Sequence, residues 1–150
     1  MSKNDELYLD LESVNSLLPD NLKVDTGNRI ERSVYMTISG SPLPIINSKL
    51  YPDNYYWYSS ITKYFKEIGA EYICFTAGLS GIIILPIDMV LQYNKFSGWK
   101  GDSKKGRQYH VRIKLTVDGK MHLWNFNNPD VNFEIQSYFT QLKNNRICVL

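Results

Sequence analysis

The stretch from Arg107 to Phe126 constrains the fold more than any other part of this 150-residue chain. From Arg107 to Thr116 the residues alternate, with Tyr109, Val111, Ile113 and Leu115 on one side and Gln108, His110, Arg112, Lys114 and Thr116 on the other. A period of two is the mark of a strand with one buried face. Asp118-Gly119 supplies a two-residue type I′ turn, after which Met121 to Phe126 returns beside the first strand. In that register His122 falls opposite Leu115 and His110 opposite Asn127, so the histidines lie on opposite faces and make a poor metal or catalytic pair. The Gly-flanked segment before the strand, with Trp99, Lys100, Lys104 and Lys105, reads as a mobile basic loop.

The rest of the chain supplies enough elements to cover such a hairpin. Leu7, Leu11, Val14 and Leu18 share one helical face, with Asp5 as a cap and Pro19 as a stop. Asn21 to Asn28 reads as loop, with a short strand at Leu22 to Val24. Ser33 to Ile38, Ile45 to Tyr51 and Tyr55 to Ser59 read as three hairpin-linked strands separated by turn residues. Ile61, Tyr64, Phe65 and Ile68 form a helical stripe, capped by Ser59 or Ser60 and ended by Gly69. Tyr72 to Thr76 and Gly81 to Leu85 are two apolar strands, the second continuous enough to be covered on both sides. Pro86 opens a short helix, and Phe133 to Leu142 reads as a last one with Ile135, Tyr138, Phe139 and Leu142 on one face. The order α-βββ-α-ββ-α-ββ-α specifies an α+β protein of three to four helices on a mixed or mostly antiparallel sheet. At this length, residues 1–150 are expected to form a single domain.

Several classes of function fall away. The chain has no GxSxG, Walker or GxGxxG motif, and Gly78-Leu79-Ser80-Gly81 reads as a hairpin turn, so no cofactor is expected. Cys74 and Cys148 suggest neither a disulfide nor a metal site. The sequence lacks a membrane-length apolar run and a signal-peptide core, which implies a cytoplasmic protein with no membrane partner.

Charge is small in total, +2, but unevenly placed. The first 25 residues are acidic, whereas Lys100, Lys104, Lys105, Arg107, Arg112 and Lys114 stand against Asp102 alone. His110, Arg112 and Lys114 would be spaced ~7 Å apart along one strand face, close to the spacing of phosphates on a nucleic-acid strand. Such charges also serve to protect an edge strand from aggregation. The eleven tyrosines and three tryptophans serve packing, or stacking on bases. Trp57 shares a strand face with Tyr55, Tyr56 and Tyr58 share the other, and Trp99 lies between glycines.

The helix, three linked strands, helix and strand resemble the core order of the restriction-endonuclease-like fold. That resemblance implies an acid on the second strand and a carboxylate-x-Lys triplet on the third; the nearest triplet here is Asn47-Ser48-Lys49, with Glu31 and Asp53 as stray acids. Three segments also resemble uncharacterised bacterial proteins, some of them linked to restriction and other DNA-directed defence: Tyr56-Trp57-Tyr58-Ser59, Ile83-Ile84-Leu85-Pro86 and Tyr109-His110-Val111-Arg112-Ile113. The resemblance implies elements, and no catalytic residue carries over from it.

The expectation is therefore a nucleic-acid-binding domain, DNA first, of a prokaryotic or phage defence system. Lys100, Lys104, Lys105, Arg107, Arg112 and Lys114 would meet phosphates, and Trp57, Trp99 and His110 bases or sugars. The alternatives are a metal-dependent nuclease of degenerate restriction-like type, and a module that binds a protein partner or another copy of itself through exposed aromatics.

Overall fold

The structure is a computed structural model that describes residues 7–96, 99–126, 128, 130 and 132–142, with Trp99 and Lys100 described at the backbone only. Its elements in chain order are α1 (Leu11–Leu17), β1 (Val24–Glu31), β2 (Val34–Thr37), β3 (Pro42–Ile46), β4 (Leu50–Tyr51), β5 (Tyr55–Ser60), α2 (Thr62–Glu67), β6 (Tyr72–Ala77) and β7 (Gly81–Pro86). There follow α3 (Ile87–Asn94), β8 (Trp99–Ser103), β9 (Gly106–Leu115), β10 (Met121–Trp124), β11 (Asn132–Glu134) and β12 (Phe139–Gln141). The fold class is α+β, as the sequence implies. No helix among the described residues is long and apolar enough to cross a membrane.

The strands divide into two sheets. The first has the order β1-β2-β3-β6-β7-β12, in which only β3 and β6 run parallel. The second has the order β11-β10-β9-β5-β4, with β8 also on β9. Alternation directs one set of side chains from each sheet into a shared core: Ile73, Phe75 and Ile83 from the first, Tyr56, Tyr58, Val111, Ile113 and Leu123 from the second. Phe65 of α2 and Val90 and Tyr93 of α3 complete that core. On the far side of the first sheet, Val14 and Leu18 cover Leu43, Cys74 and Ile82. Among the described residues the second sheet therefore has one face in the core and one face open.

Several expectations change in register or type. The Asp118-Gly119 turn is a three-residue loop: Thr116 N–H donates to Lys120 O at 2.9 Å, Gly119 N–H donates to Thr116 O at 2.8 Å, and of the two turn residues Gly119 alone takes a positive φ, 83°. The added loop residue slides the pairing by one, so His122 faces Lys114 and lies on the same sheet face as His110. The two histidines are four residues apart in register, about 14 Å along the strand, so distance rather than facing keeps them from acting as a pair.

The basic loop is likewise ordered differently. Residues 99–103 pair with β9 as β8, leaving Lys104 and Lys105 in a tight turn closed by Gly106 at φ 120°. The segment 24–31, read as mostly loop, is the edge strand β1; its bulged, outward-facing residues give no alternation to detect. The segment 45–51 splits between β3 in the first sheet and β4 in the second.

The C-terminal helix expected from Phe133 to Leu142 is not formed. β11 pairs with β10, a 3-10 turn follows at Gln136–Tyr138, and β12 pairs with β7. Two open sheet edges offered backbone partners to a segment rich in aromatic and polar residues with little helix preference, and they prevailed over a local i, i+3, i+4 stripe. At the other end α1 starts later than expected, capped by Asp10, whose carboxylate accepts from Ser13 N–H at 2.8 Å. Asp5 lies outside the described residues.

The join of β12 to β7 requires a glycine. A Cβ on Gly81 would lie 2.8 Å from the Phe139 ring, 2.9 Å from Gln141 Cα, and closer still to the Thr140 carbonyl oxygen. Gly81→Ala is expected to cost about 1–3 kcal/mol and to speed amide exchange at Phe139 to Gln141. An unchanged thermal midpoint and unchanged exchange would contradict this close approach.

Candidate nucleic-acid interface

The open face of the second sheet gathers residues from four segments. Across β5 and β9 the register sets Tyr55 beside Lys114, Trp57 beside Arg112 and Ser59 beside His110. β4 adds Tyr51 opposite Tyr55, and β10 adds His122 opposite Lys114. Tyr51 and Tyr55 stack with ring centroids 5.4 Å apart, and Phe126 meets Tyr55 edge-on at 5.2 Å. The Arg112 guanidinium lies 4.9 Å from the centre of Phe126 and 5.8 Å from that of Trp57. Lys114 sits 5.9 Å from Phe126, and Lys49 sits 4.8 Å from Tyr51. Aromatic plates and cations thus alternate over a surface that water reaches.

Hydrogen bonds fix the orientation of the central indole. Trp57 Nε1–H donates to His110 Nδ1 at 2.8 Å, which requires that nitrogen to be unprotonated. Trp57 N–H donates to Ser48 Oγ at 3.0 Å, holding β5 to the segment after β3. Beneath this face, Tyr56 and Tyr58 are each 2 % exposed, and Tyr58 donates its hydroxyl to Thr76 O at 2.8 Å. The YYWY run therefore sends one pair into the core and the other to the open face.

The register also bears on the charge of β9. Tyr109 pairs with Ser60 and with Trp99, and Ile113 pairs with Tyr56 and with Leu123, so β9 has partners along both edges. Between β8 and β10 the Tyr93 hydroxyl fills the gap, accepting from Arg112 N–H at 3.4 Å and donating to Trp124 O at 2.7 Å. Burial pushes that phenol up to about 12, which keeps it a donor at neutral pH. β9 is interior to its sheet, so edge protection does not account for Arg112 and Lys114. Among the described residues neither takes part in an ion pair. Glu134, opposite His122, is a carboxylate that pairing brings toward the face.

The sequence-derived basic residues are not equivalent. Lys104 is exposed at the β8–β9 turn. Lys105 is spent on Glu31, which also accepts from the Tyr64 hydroxyl at 2.6 Å. Arg107 stands 3.8 Å from Asp102 on β8. The Lys100 and Trp99 side chains lie outside the described part of the structure. His110, Arg112, Lys114 and Trp57 do converge. Phe126, Tyr51 and Lys49 complete the face but escape a reading of local sequence, because Tyr51 reaches it through strand pairing and the other two through ring contacts with residues distant or paired across strands.

The Glu31, Lys105 and Tyr64 cluster ties the β8–β9 turn to the end of β1 and to α2. The Lys105 ammonium and then the Tyr64 hydroxyl hold the Glu31 carboxyl below its ordinary 4.5. Glu31 in turn raises Lys105 above 10.5 and Tyr64 above 10.0. A depressed carboxylate stabilises the fold above its ordinary value and loses that contribution as pH falls through the folded one; a raised ammonium or phenol loses its contribution as pH rises. The tie is thus complete from about pH 5 to pH 10 and opens on either side. Glu31→Gln at pH 7 is expected to give the Lys105 and Gly106 amides the fast 15N relaxation of a loose turn, with little change in thermal midpoint. A turn equally rigid in that variant would show that the tie does not hold it.

The carboxylate-x-Lys triplet implied by the restriction-like resemblance is not completed at Asn47–Lys49, where Asn47 is a neutral amide. Asn47-Ser48-Lys49 follows β3 without a carboxylate, and among the described residues no group of three or more His, Cys, Asp or Glu side chains is placed to hold a metal ion. No protein-family model matches this chain, and neither a curated protein nor a solved structure matches it significantly.

Proposed function

We propose that the chain binds single-stranded nucleic acid on the open face of its second sheet. The observation that carries this reading is the convergence of Tyr51, Tyr55, Trp57 and Phe126 with Arg112 and Lys114 on one face. Aromatic rings on a flat sheet offer stacking to any base, and stacking needs bases free of a duplex. The cations answer the phosphates between those bases, Arg112 with a planar fork and Lys114 with a point charge. Lys104, exposed at the β8–β9 turn, adds positive charge beyond the end of β9.

The DNA-directed defence setting implied by the sequence resemblance makes DNA the first ligand to test, with RNA beside it. Fluorescence anisotropy with labelled single strands, and with the same DNA as duplex, tests the proposal. The expectation is binding of micromolar order to single strands and weaker binding to duplex. Three to five phosphate contacts predict a slope of about −2 to −3.5 in log affinity against log salt. Absence of binding to either single strand at low salt would overturn it.

A further inference from the structure

A cleft of about 690 Å³ lies next to the open face, between the turn that joins β1 to β2 and the turn that joins β8 to β9. Trp57 is common to both: its indole is in the aromatic cluster, and it also lines the cleft. The volume falls within the roughly 300–1,000 Å³ of small-molecule sites. Arg32 stands on one turn and Lys104 on the other, and both line the cavity. Neither forms an ion pair or side-chain hydrogen bond among the described residues, and the same holds for the Gln108 amide on the cleft wall. Asn47 engages Thr76 through its oxygen, at 3.2 Å, and leaves its amide nitrogen uncommitted.

Uncommitted cations on two turns, two amides in the lining and a tryptophan shared with the open face form a chemically specific set. The cations match an anion of phosphate type, which a guanidinium binds through two parallel bonds. Asn and Gln amides each present a donor and an acceptor side by side, the pattern that reads a base edge. The indole offers the base a plate. Ser33, beside Arg32, holds a left-handed φ of 67°, a conformation uncommon outside glycine, at the turn that shapes the rim. The Glu31 and Lys105 pair keeps the opposite turn in place and leaves Lys104 as the free cation of its pair.

We propose that this cleft takes one nucleotide, with its phosphate between Arg32 and Lys104, its base edge on Gln108 and Asn47, and its ring against Trp57. The inference deepens the strand-binding reading and rests on it: a strand crossing the sheet face would place one unstacked nucleotide in the cleft where the face ends. The same chemistry would accept a free nucleoside monophosphate, and the experiment separates the two sources.

Deoxynucleoside 5′-monophosphates are titrated into the 15N-labelled full chain, following the Trp57 indole N–H resonance, which Trp57→Phe assigns. Saturable movement of that resonance is expected, weakened at least about tenfold in Arg32→Ala/Lys104→Ala and much smaller with inorganic phosphate. No saturable movement, full retention in the double variant, or an equal response to inorganic phosphate would each overturn the cleft as a nucleotide site. A 12-nucleotide single strand is then titrated into the natural chain and into Tyr55→Ala/Arg112→Glu. A strand that binds while no mononucleotide does defeats the cleft and leaves the sheet-face reading standing. A mononucleotide that binds where no strand does supports the cleft as a free-nucleotide site and defeats the sheet-face reading.

Discussion

Arg112→Glu is expected to lower the affinity for a single-stranded oligonucleotide by about 100-fold and to move the thermal midpoint by no more than about 8 °C. Arg112 occupies the middle of the face, between the rings of Trp57 and Phe126, and among the described residues it is in no ion pair. A hydrogen bond from such a cation to a phosphate is worth roughly 1.5–3 kcal/mol, and reversing the charge adds repulsion to the loss. The cost to the fold is limited to two exposed cation–ring contacts, about 0.5–1 kcal/mol each. The backbone N–H of residue 112 still donates to the Tyr93 hydroxyl, so strand pairing is spared. Arg112→Gln, which removes the charge without reversing it, is expected to lose about tenfold and to flatten the salt slope by roughly 0.7. A variant that binds as tightly as the natural chain would remove Arg112 from the interface. Glutamate at position 112 that unfolds the chain would instead assign the residue to stability.

Phe75→Ala is expected to cost about 3–5 kcal/mol, the largest stability effect of the substitutions considered. Phe75 is 0 % exposed at the centre of β6, paired to Ile83 on one side and to Ile46 on the other. Its ring meets Tyr58 edge-on at 4.7 Å, so it joins the two sheets across their common core. Truncation removes both the buried ring and its partner contact, and the rigid strands on either side cannot collapse into the space. Against a typical stability of roughly 5–15 kcal/mol, a loss of this size lowers the midpoint by about 6–20 °C and leaves some of the chain unfolded at physiological temperature. Tyr58→Phe gives the scale: it keeps the ring and forfeits one hydrogen bond to Thr76, about 1 kcal/mol. Equal losses for the two substitutions, measured by chemical denaturation, would contradict a core centred on Phe75.

The contrast between what sequence does and does not reveal follows the range of the forces involved. The β9 alternation is local, repeated and strong, and it appears as a strand of Gly106–Leu115 with Val111 and Ile113 fully buried. The φ of Gly69, 102°, ends α2 where glycine was expected to end it. Loop length at Asp118-Gly119 is a finer matter: two and three residues are both common with this pair, and the one-residue difference reassigns the face of His122. The segments β1, β11 and β12 are strands because neighbouring strands offer them hydrogen bonds, a condition that no window of local sequence contains. For the site, the cationic row on β9 was legible residue by residue. That Tyr51, Tyr55 and Phe126 stand beside it depends on pairing across three separate segments, and that Lys105 is occupied depends on Glu31, 74 residues away.

The most direct test of the sheet-face proposal is to map an oligonucleotide onto the chain by chemical-shift perturbation. With a 12-nucleotide single strand added to 15N,13C-labelled protein, the largest shifts are predicted at Tyr51, Tyr55, Trp57, Arg112, Lys114 and Phe126, with the α1 side of the first sheet unaffected. Shifts confined to α1 and the first sheet, or no shifts at saturating strand, would contradict the assignment of this face to nucleic acid.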